Sequence, residues 1–144
     1  TKHPITSCLT TSPKAAWTLG PAVTVDDPKA SIPGTTAGQP TLAVREFDGW
    51  RSVFCFLPPS RELLRGVCQY AGVHVWSSTN DPFFANRGYA VLHTSTAGPK
   101  RIVLPEPAEV SELVTGRTLG RVSVIEEDLP AVTTRIYRLQ RSAR

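Results

Sequence analysis

An Asp-Gly dipeptide, Asp48-Gly49, stands between TLAVREF and WRSVFCFL and constrains this chain more than any other feature. Two runs rich in Val, Phe and Trp joined by Asp-Gly are the strongest short-range signal for a β-hairpin, because tight two-residue turns demand positive φ. The spacing predicts residues 42–47 paired with residues 50–57 through a type I′ turn, with positive φ at both Asp48 and Gly49. Pro58-Pro59 stops the second strand, since proline has no N–H to give to a ladder. Ser60 then stands where a helix N-cap belongs. Leu63, Leu64, Val67, Cys68 and Ala71 repeat at helical spacing, and Gly72 closes the helix in the left-handed region. Leu64, Val67, Cys68 and Ala71 read as the buried stripe. VHVW follows as a short strand.

Before the hairpin, Pro13, Pro21, Pro28, Pro33 and Pro40 punctuate residues 1–40. The segment reads as irregular chain with strand character only at residues 22–25, and Trp17 and Leu19 as anchors. After the helix the apolar period changes to two. Residues 74–77, 88–95, 101–104, 110–114, 121–125 and 134–139 read as short strands, separated by turn signals at Asn80-Asp81-Pro82, Ala97-Gly98-Pro99 and Thr115-Gly116. Strands at this spacing imply an antiparallel sandwich. The expected fold is therefore α+β and mostly β: a loop-rich lead-in, hairpin and single helix over residues 1–76, then a small antiparallel β-sandwich over residues 77–144, the two packed as one unit.

The order strand, Asp48-Gly49 turn, strand, helix, together with Ala71-Gly72-Val73-His74, Ala85-Asn86-Arg87 and Leu92-His93 before Ala97-Gly98, resembles the C-terminal end of bacterial glycoside hydrolases of the β-galactosidase type. HPITSCL and PAVTVDDPKA also resemble the late part of the α/β domain in those proteins. The resemblance implies that the hairpin and helix are the remnant of an α/β trimerisation-like domain and that a β-sandwich follows. These motifs are structural and specify a module rather than a chemistry. The implied function is a non-catalytic accessory or assembly module, whose partner is a larger catalytic domain or further copies of the chain.

The residues themselves give little support to catalysis. A glycosidase needs two carboxylates held across one bond, usually at the ends of barrel strands, and 144 residues leave no room for a (β/α)₈ barrel of ~250. Asp26-Asp27 and Glu126-Glu127-Asp128 are sequence neighbours, which alternate between faces in a strand. Asp27-Pro28 reads as a turn starter, as does Asp128 ahead of Pro130. His74 and His93 lie in strand-like runs, where a histidine commonly closes a hydrogen bond to the neighbouring strand. A small hydrolase using either one is the second alternative function.

No metal site is expected, because Glu-x-x-His and His-x-His spacings are absent, and no cofactor, because no glycine-rich phosphate loop is present. Cys8, Cys55 and Cys68 are odd in number and widely spaced, so they imply neither a zinc knuckle nor a disulfide framework. The net charge is +4, and six of the sixteen basic residues fall after position 116 without interleaved aromatics, which speaks against nucleic acid. No run approaches the ~20 apolar residues of a membrane span and no leader pattern opens the sequence. We therefore expect a soluble protein, cytoplasmic rather than secreted.

Trp50, Trp76, Phe83, Phe84 and Tyr89 offer aromatic faces for stacking against pyranose rings. A carbohydrate-binding module is accordingly the first alternative function, with Trp76, Asn80, Phe83 and Phe84 as its ligand residues. Asn86-Arg87-Gly88 is a bend from which Arg87 can reach a carboxylate. Trp17, Asn86 and Arg87 are the expected interface residues.

Overall fold

The computed structural model describes residues 3–10, 20–21, 23–56 and 58–141, which divide into two compact units, Thr1–His74 and Val75–Arg144. Expectations about Trp17, Leu19, Ala22 and Leu57 lie outside the described residues. Among the described residues the chain is mostly β, with one α-helix and two antiparallel sheets.

In the first unit, β1 (Ser31–Thr36), β2 (Gln39–Phe47) and β3 (Trp50–Cys55) form a sheet in that order. The expected hairpin is present, with Leu42 opposite Cys55 and Phe47 opposite Trp50. Its turn differs from the expected type: Gly49 has φ +78° while Asp48 is not among the positive-φ residues. One left-handed residue in second place is the pattern of a type II turn, where glycine alone satisfies the backbone. The type I′ geometry belongs instead to the preceding hairpin, where Ala37 and Gly38 take φ +49° and +78° between Thr36 and Gln39. That hairpin contradicts the reading of residues 1–40 as irregular. β1 is an edge strand with irregular register, the setting in which a sheet tolerates Pro33 and Gly34.

Helix α1 (Arg61–Tyr70) begins as expected, the Ser60 hydroxyl accepting the Leu63 N–H at 3.1 Å, and Gly72 at φ +76° follows its end. Its buried face is corrected by one step around the axis. Leu63 and Gly66 are buried and Val67 and Tyr70 pack beside them, whereas Leu64 is 49% exposed and Ala71 is exposed. The cause is Ile5, fully buried in a 3-10 turn (Pro4–Thr6) that lies against α1. A Cβ on Gly66 would stand 2.9 Å from the Ile5 carbonyl carbon and closer still to its oxygen, so only glycine permits this approach. Ile5, Leu42, Val44 and Leu63 form the small core of this unit.

In the second unit, β4 (Phe83–Ala85), β5 (Tyr89–His93), β6 (Gly98–Glu112), β7 (Thr118–Leu129) and β8 (Thr134–Gln140) form a sheet of order β4-β5-β8-β6-β7. The strands expected at 101–104 and 110–114 are one strand. Proline interrupts its ladder without ending it: Val103 pairs with Val124 and Ala108 with Val122, so residues 104–107, with Pro105 and Pro107, stand against Ser123 alone. The segment expected as a strand at 74–77 makes only an isolated bridge, Ser77 to Ile102, beside a hydrogen bond from Val103 N–H to the Trp76 carbonyl (2.7 Å). Before the bulge β6 pairs with β7 and not with β8; after it, β6 pairs with both. Ile102, Ile125 and Leu129 from the first half nevertheless share one core with Ala90, Leu92, Tyr137 and Leu139. A sheet with no helix in its unit buries a face by folding over itself, and the result is sandwich-like.

Two substitutions test the helix docking. Gly66→Ala should destabilise by about 2 kcal/mol or more, although alanine favours an isolated helix by about 1 kcal/mol, because the Ile5 main chain must move. Leu63→Ala should cost ~2–5 kcal/mol and Leu64→Ala less than about 0.5 kcal/mol in urea denaturation. The reverse order would put the helix in the other rotation.

Candidate functional site

The four expected ligand residues do not form one surface. Trp76 and Phe83 are half-buried, their rings 5.9 Å apart and tilted, and both pack against the core of the second unit. Phe84, the next residue in β4, points to the opposite face and is 73% exposed. Asn80 is exposed in the preceding loop. That loop is fixed by a buried ion pair: Asp81 Oδ2 lies 2.8 Å from Lys100 Nζ, the two side chains 3% and 5% exposed, and Asp81 Oδ1 accepts the Ser95 N–H at 2.7 Å.

Of the expected interface residues, Asn86 spends its side chain on the local turn, its Oδ1 accepting the N–H groups of Gly88 and Tyr89 at 2.8 Å each. Arg87 is exposed at the tip of that turn. His93 sits opposite Thr134, Nδ1 2.9 Å from its hydroxyl, which is the cross-strand contact the sequence suggested. His74 ends the other unit. Asp27 serves a turn, accepting the Lys29 N–H at 2.9 Å, with Arg45 3.5 Å away. Glu126 and Glu127 point to opposite faces: Glu126 pairs with Arg101, Glu127 with Arg117 and Arg135. Among the described residues no cluster of His, Cys, Asp and Glu is arranged to hold a metal ion, and no helix is long and apolar enough to cross a membrane.

The structure assembles another constellation at the end of the β2–β3 hairpin. Phe47 and Trp50 face each other across the turn, ring centroids 4.0 Å apart and planes within 5°, and are 43% and 58% exposed. Arg45 lies 5.2 Å from the Phe47 ring centroid. On the opposite face Glu46 and Arg51 are also cross-strand partners, their Oε1 and Nε 3.6 Å apart. Tyr70, from the last turn of α1, locks both: its hydroxyl donates to Glu46, its carbonyl accepts from Arg51 at 2.6 Å, and the guanidinium lies 4.6 Å from its ring centroid. The hydrogen bond to Glu46, with burial and the negative charge, raises the Tyr70 pKa against the opposing pull of Arg51. Beside this network opens a groove of about 490 Å³ lined by Glu46, Phe47, Gly49, Trp50, Arg51 and Ala71.

The signal for this site was present as Phe-Asp-Gly-Trp, since a two-residue turn places its flanking residues in register. The part contributed by Tyr70 depends on tertiary docking of the helix. A second groove, about 510 Å³, is lined by Thr115, Arg117, residues 126–129 and Arg135, and contains no aromatic ring.

No protein-family model matches the chain, and no curated protein sequence matches it. Among solved structures, it is similar to the crystal structure of beta-galactosidase from Bacillus circulans sp. alkalophilus, with TM-score 0.48 and 20% identity over 77% of this chain. The match spans 18% of the length of that protein.

Two buried carboxylates make stability depend on acid. Burial alone pushes the Asp81 carboxyl up, but the hydrogen bonds from Lys100, Ser95 and Thr79 and the Lys100 charge outweigh it and hold the group at about 2. Glu112, 1% exposed, likewise resists burial through the Thr115 hydroxyl and main-chain N–H groups of Val114 and Thr115, and is held at about 2. Both values lie below those of the unfolded chain, so this stabilisation is complete above about pH 4.5 and is lost as pH falls toward 2. Each group contributes on the order of 2–3 kcal/mol. Asp81→Asn should flatten the decline in urea midpoint between about pH 5 and 2; an unchanged slope would mean Asp81 is not ion-paired in solution.

Proposed function

We propose that the chain is a non-catalytic accessory module of a glycoside hydrolase-like protein, serving assembly by docking on a larger domain or on further copies of itself. The observation that carries this reading is the outward face of the second unit. Phe84 pairs with Val91, Val91 with Ile136, and Tyr89 with Arg138, so these side chains share the face turned away from the core. Phe84 and Tyr89 are exposed, and Val91 and Ile136 only half-buried. β5 is thus apolar on both faces, with Ala90 and Leu92 inside and Tyr89 and Val91 outside, which is the pattern of a strand meant to be covered twice. Arg138 and Arg87 stand beside the aromatics, and the combination of Phe, Tyr and Arg is typical of buried protein–protein contacts.

The sequence resemblance adds the parentage, through the strand, Asp48-Gly49, strand and helix order and the Ala71-Gly72-Val73-His74 entry. The histidines and carboxylates add nothing in favour of turnover: Asp27 works in a turn, and Glu126 and Glu127 each work in ion pairs.

Light scattering over a dilution series should detect association of the full chain, weakened by Phe84→Asp, while a screen on aryl glycosides should show no hydrolysis. A strictly monomeric chain at every concentration, insensitive to Phe84→Asp, argues for an independent binding module instead. Hydrolysis that disappears in His93→Ala or His74→Ala would establish the enzyme reading.

A further inference from the structure

The outward face of the second unit is complementary to itself. We propose, on the footing of the assembly role given above, that its partner is a second copy of the chain, the two faces packing about a two-fold axis that runs parallel to β5 and β8 and passes between them. Directly opposed residues of neighbouring strands share a face, so the register sorts the outward side chains into rows across the sheet. One row reads Phe84, Val91, Ile136 and then Leu113, whose N–H donates to the Ile136 carbonyl at 2.8 Å. It is apolar from end to end, with Phe84 73% and Leu113 48% exposed. The next row holds Tyr89 and Arg138. Beyond it Gln140 faces Glu109, and the Gly88 carbonyl accepts the Leu139 N–H at 2.8 Å, which sets the exposed Arg87 at the same end of the sheet.

Rotation about that axis lays each row on its own copy with the ends exchanged. Phe84 then meets Leu113 of the second copy, Val91 meets its Ile136, and the Tyr89 ring meets its Arg138 guanidinium, a favourable pairing of an aromatic face with a cation. Arg87 arrives opposite Gln140 of the second copy, one strand or about 5 Å from its Glu109, which is within the reach of an arginine side chain. Arg87, Arg138 and Glu109 have no ion pair among the described residues, so the second copy supplies each with its complement. Moving the axis by half a strand spacing spoils the match. Centred on β8 it presses Arg138 against its own copy; centred on β5 it carries Leu113 past the edge of the other sheet. Aligned sheets cross at about 30°, so the pairs nearest the axis, Val91 with Ile136, are held best. Four strands about 5 Å apart and about 20 Å long offer on the order of 400 Å² per copy, half of what a stable interface buries on each side. The dimer is therefore weak and reversible, forming at about 10–100 µM.

The test is sedimentation velocity of the full chain over a dilution series, on the wild type, Phe84→Asp, Arg87→Glu, Glu109→Arg and an equimolar mixture of the last two. The wild type should form a dimer and nothing larger. Arg87→Glu and Glu109→Arg should each weaken it about tenfold, and the mixture should recover it, because opposite charges then meet again at both contacts. A folding defect in either variant is not repaired by mixing. Glu109→Arg also sets two arginines opposite each other across β6 and β7, so Glu109→Gln is measured beside it and should weaken the dimer with little change in thermal midpoint. Association that Phe84→Asp abolishes but Arg87→Glu and Glu109→Gln leave untouched, or that runs beyond the dimer, would overturn the two-fold arrangement and leave the assembly role standing. A chain monomeric at every concentration would overturn both.

Discussion

The second unit depends on one geometric device: the bulge at residues 104–107, where four residues of β6 are opposed by one of β7. With no helix among the described residues of its own unit, a five-stranded sheet supplies both walls of its core. Pro105 and Pro107 remove two ladder donors at the place where pairing has to lapse, and the ladder resumes beyond them. Ile102 and Ile125 on one side of the bulge then meet Val110, Tyr137 and Leu139 from the other in one core. Folding a sheet over itself leaves strand ends whose polar groups lie inside, and the buried polar residues are found there. Glu112 closes the β6–β7 turn. Thr94 closes the β7–β8 turn, donating to the Pro130 carbonyl at 2.6 Å and accepting the Thr133 N–H at 2.8 Å. Asp81 and Lys100 pin the loop ahead of β4.

In the first unit a comparable dependence runs from Gly66 to the groove. The absence of a side chain at 66 lets the Ile5 main chain lie on the helix, and this sets its rotation so that Leu63 faces Leu42 and Val44. With that rotation Tyr70 falls over the end of the hairpin, where it orients Glu46 and Arg51. The charged half of the groove is therefore a consequence of helix docking and not of hairpin sequence alone. Phe47 and Trp50 need only the Asp48-Gly49 turn.

The elements legible in the sequence are those whose determinants are local. Ser60 as cap, Gly72 as stop, Asp48-Gly49 as turn and the alternation of residues 134–139 each carry their own signal, and each element formed. β1 was hidden because Pro33 and Gly34 resemble loop chemistry, and only its position at a sheet edge makes them acceptable. In sequence β6 reads as two strands because proline normally ends a strand, whereas here it serves a bulge. The helix face is not legible locally because Leu63 and Leu64 are both leucine; the choice between them rests on Ile5, 58 residues before Leu63 in sequence. The packing of Trp76 and Phe83 against the core likewise depends on contacts distant in sequence.

What the pattern of polarity leaves over is the most functional information in the chain. A half-covered antiparallel sheet alternates apolar and polar, and β5 breaks that rule by placing Tyr89 and Val91 where charged residues would be expected. The hairpin end breaks it differently, leaving two stacked rings exposed on one face and a carboxylate and a guanidinium held by Tyr70 on the other. The proposed docking rests on the apolar outward face with arginines at its side, because such a face gains mainly by excluding water. Neither departure is required by the packing of the unit that carries it.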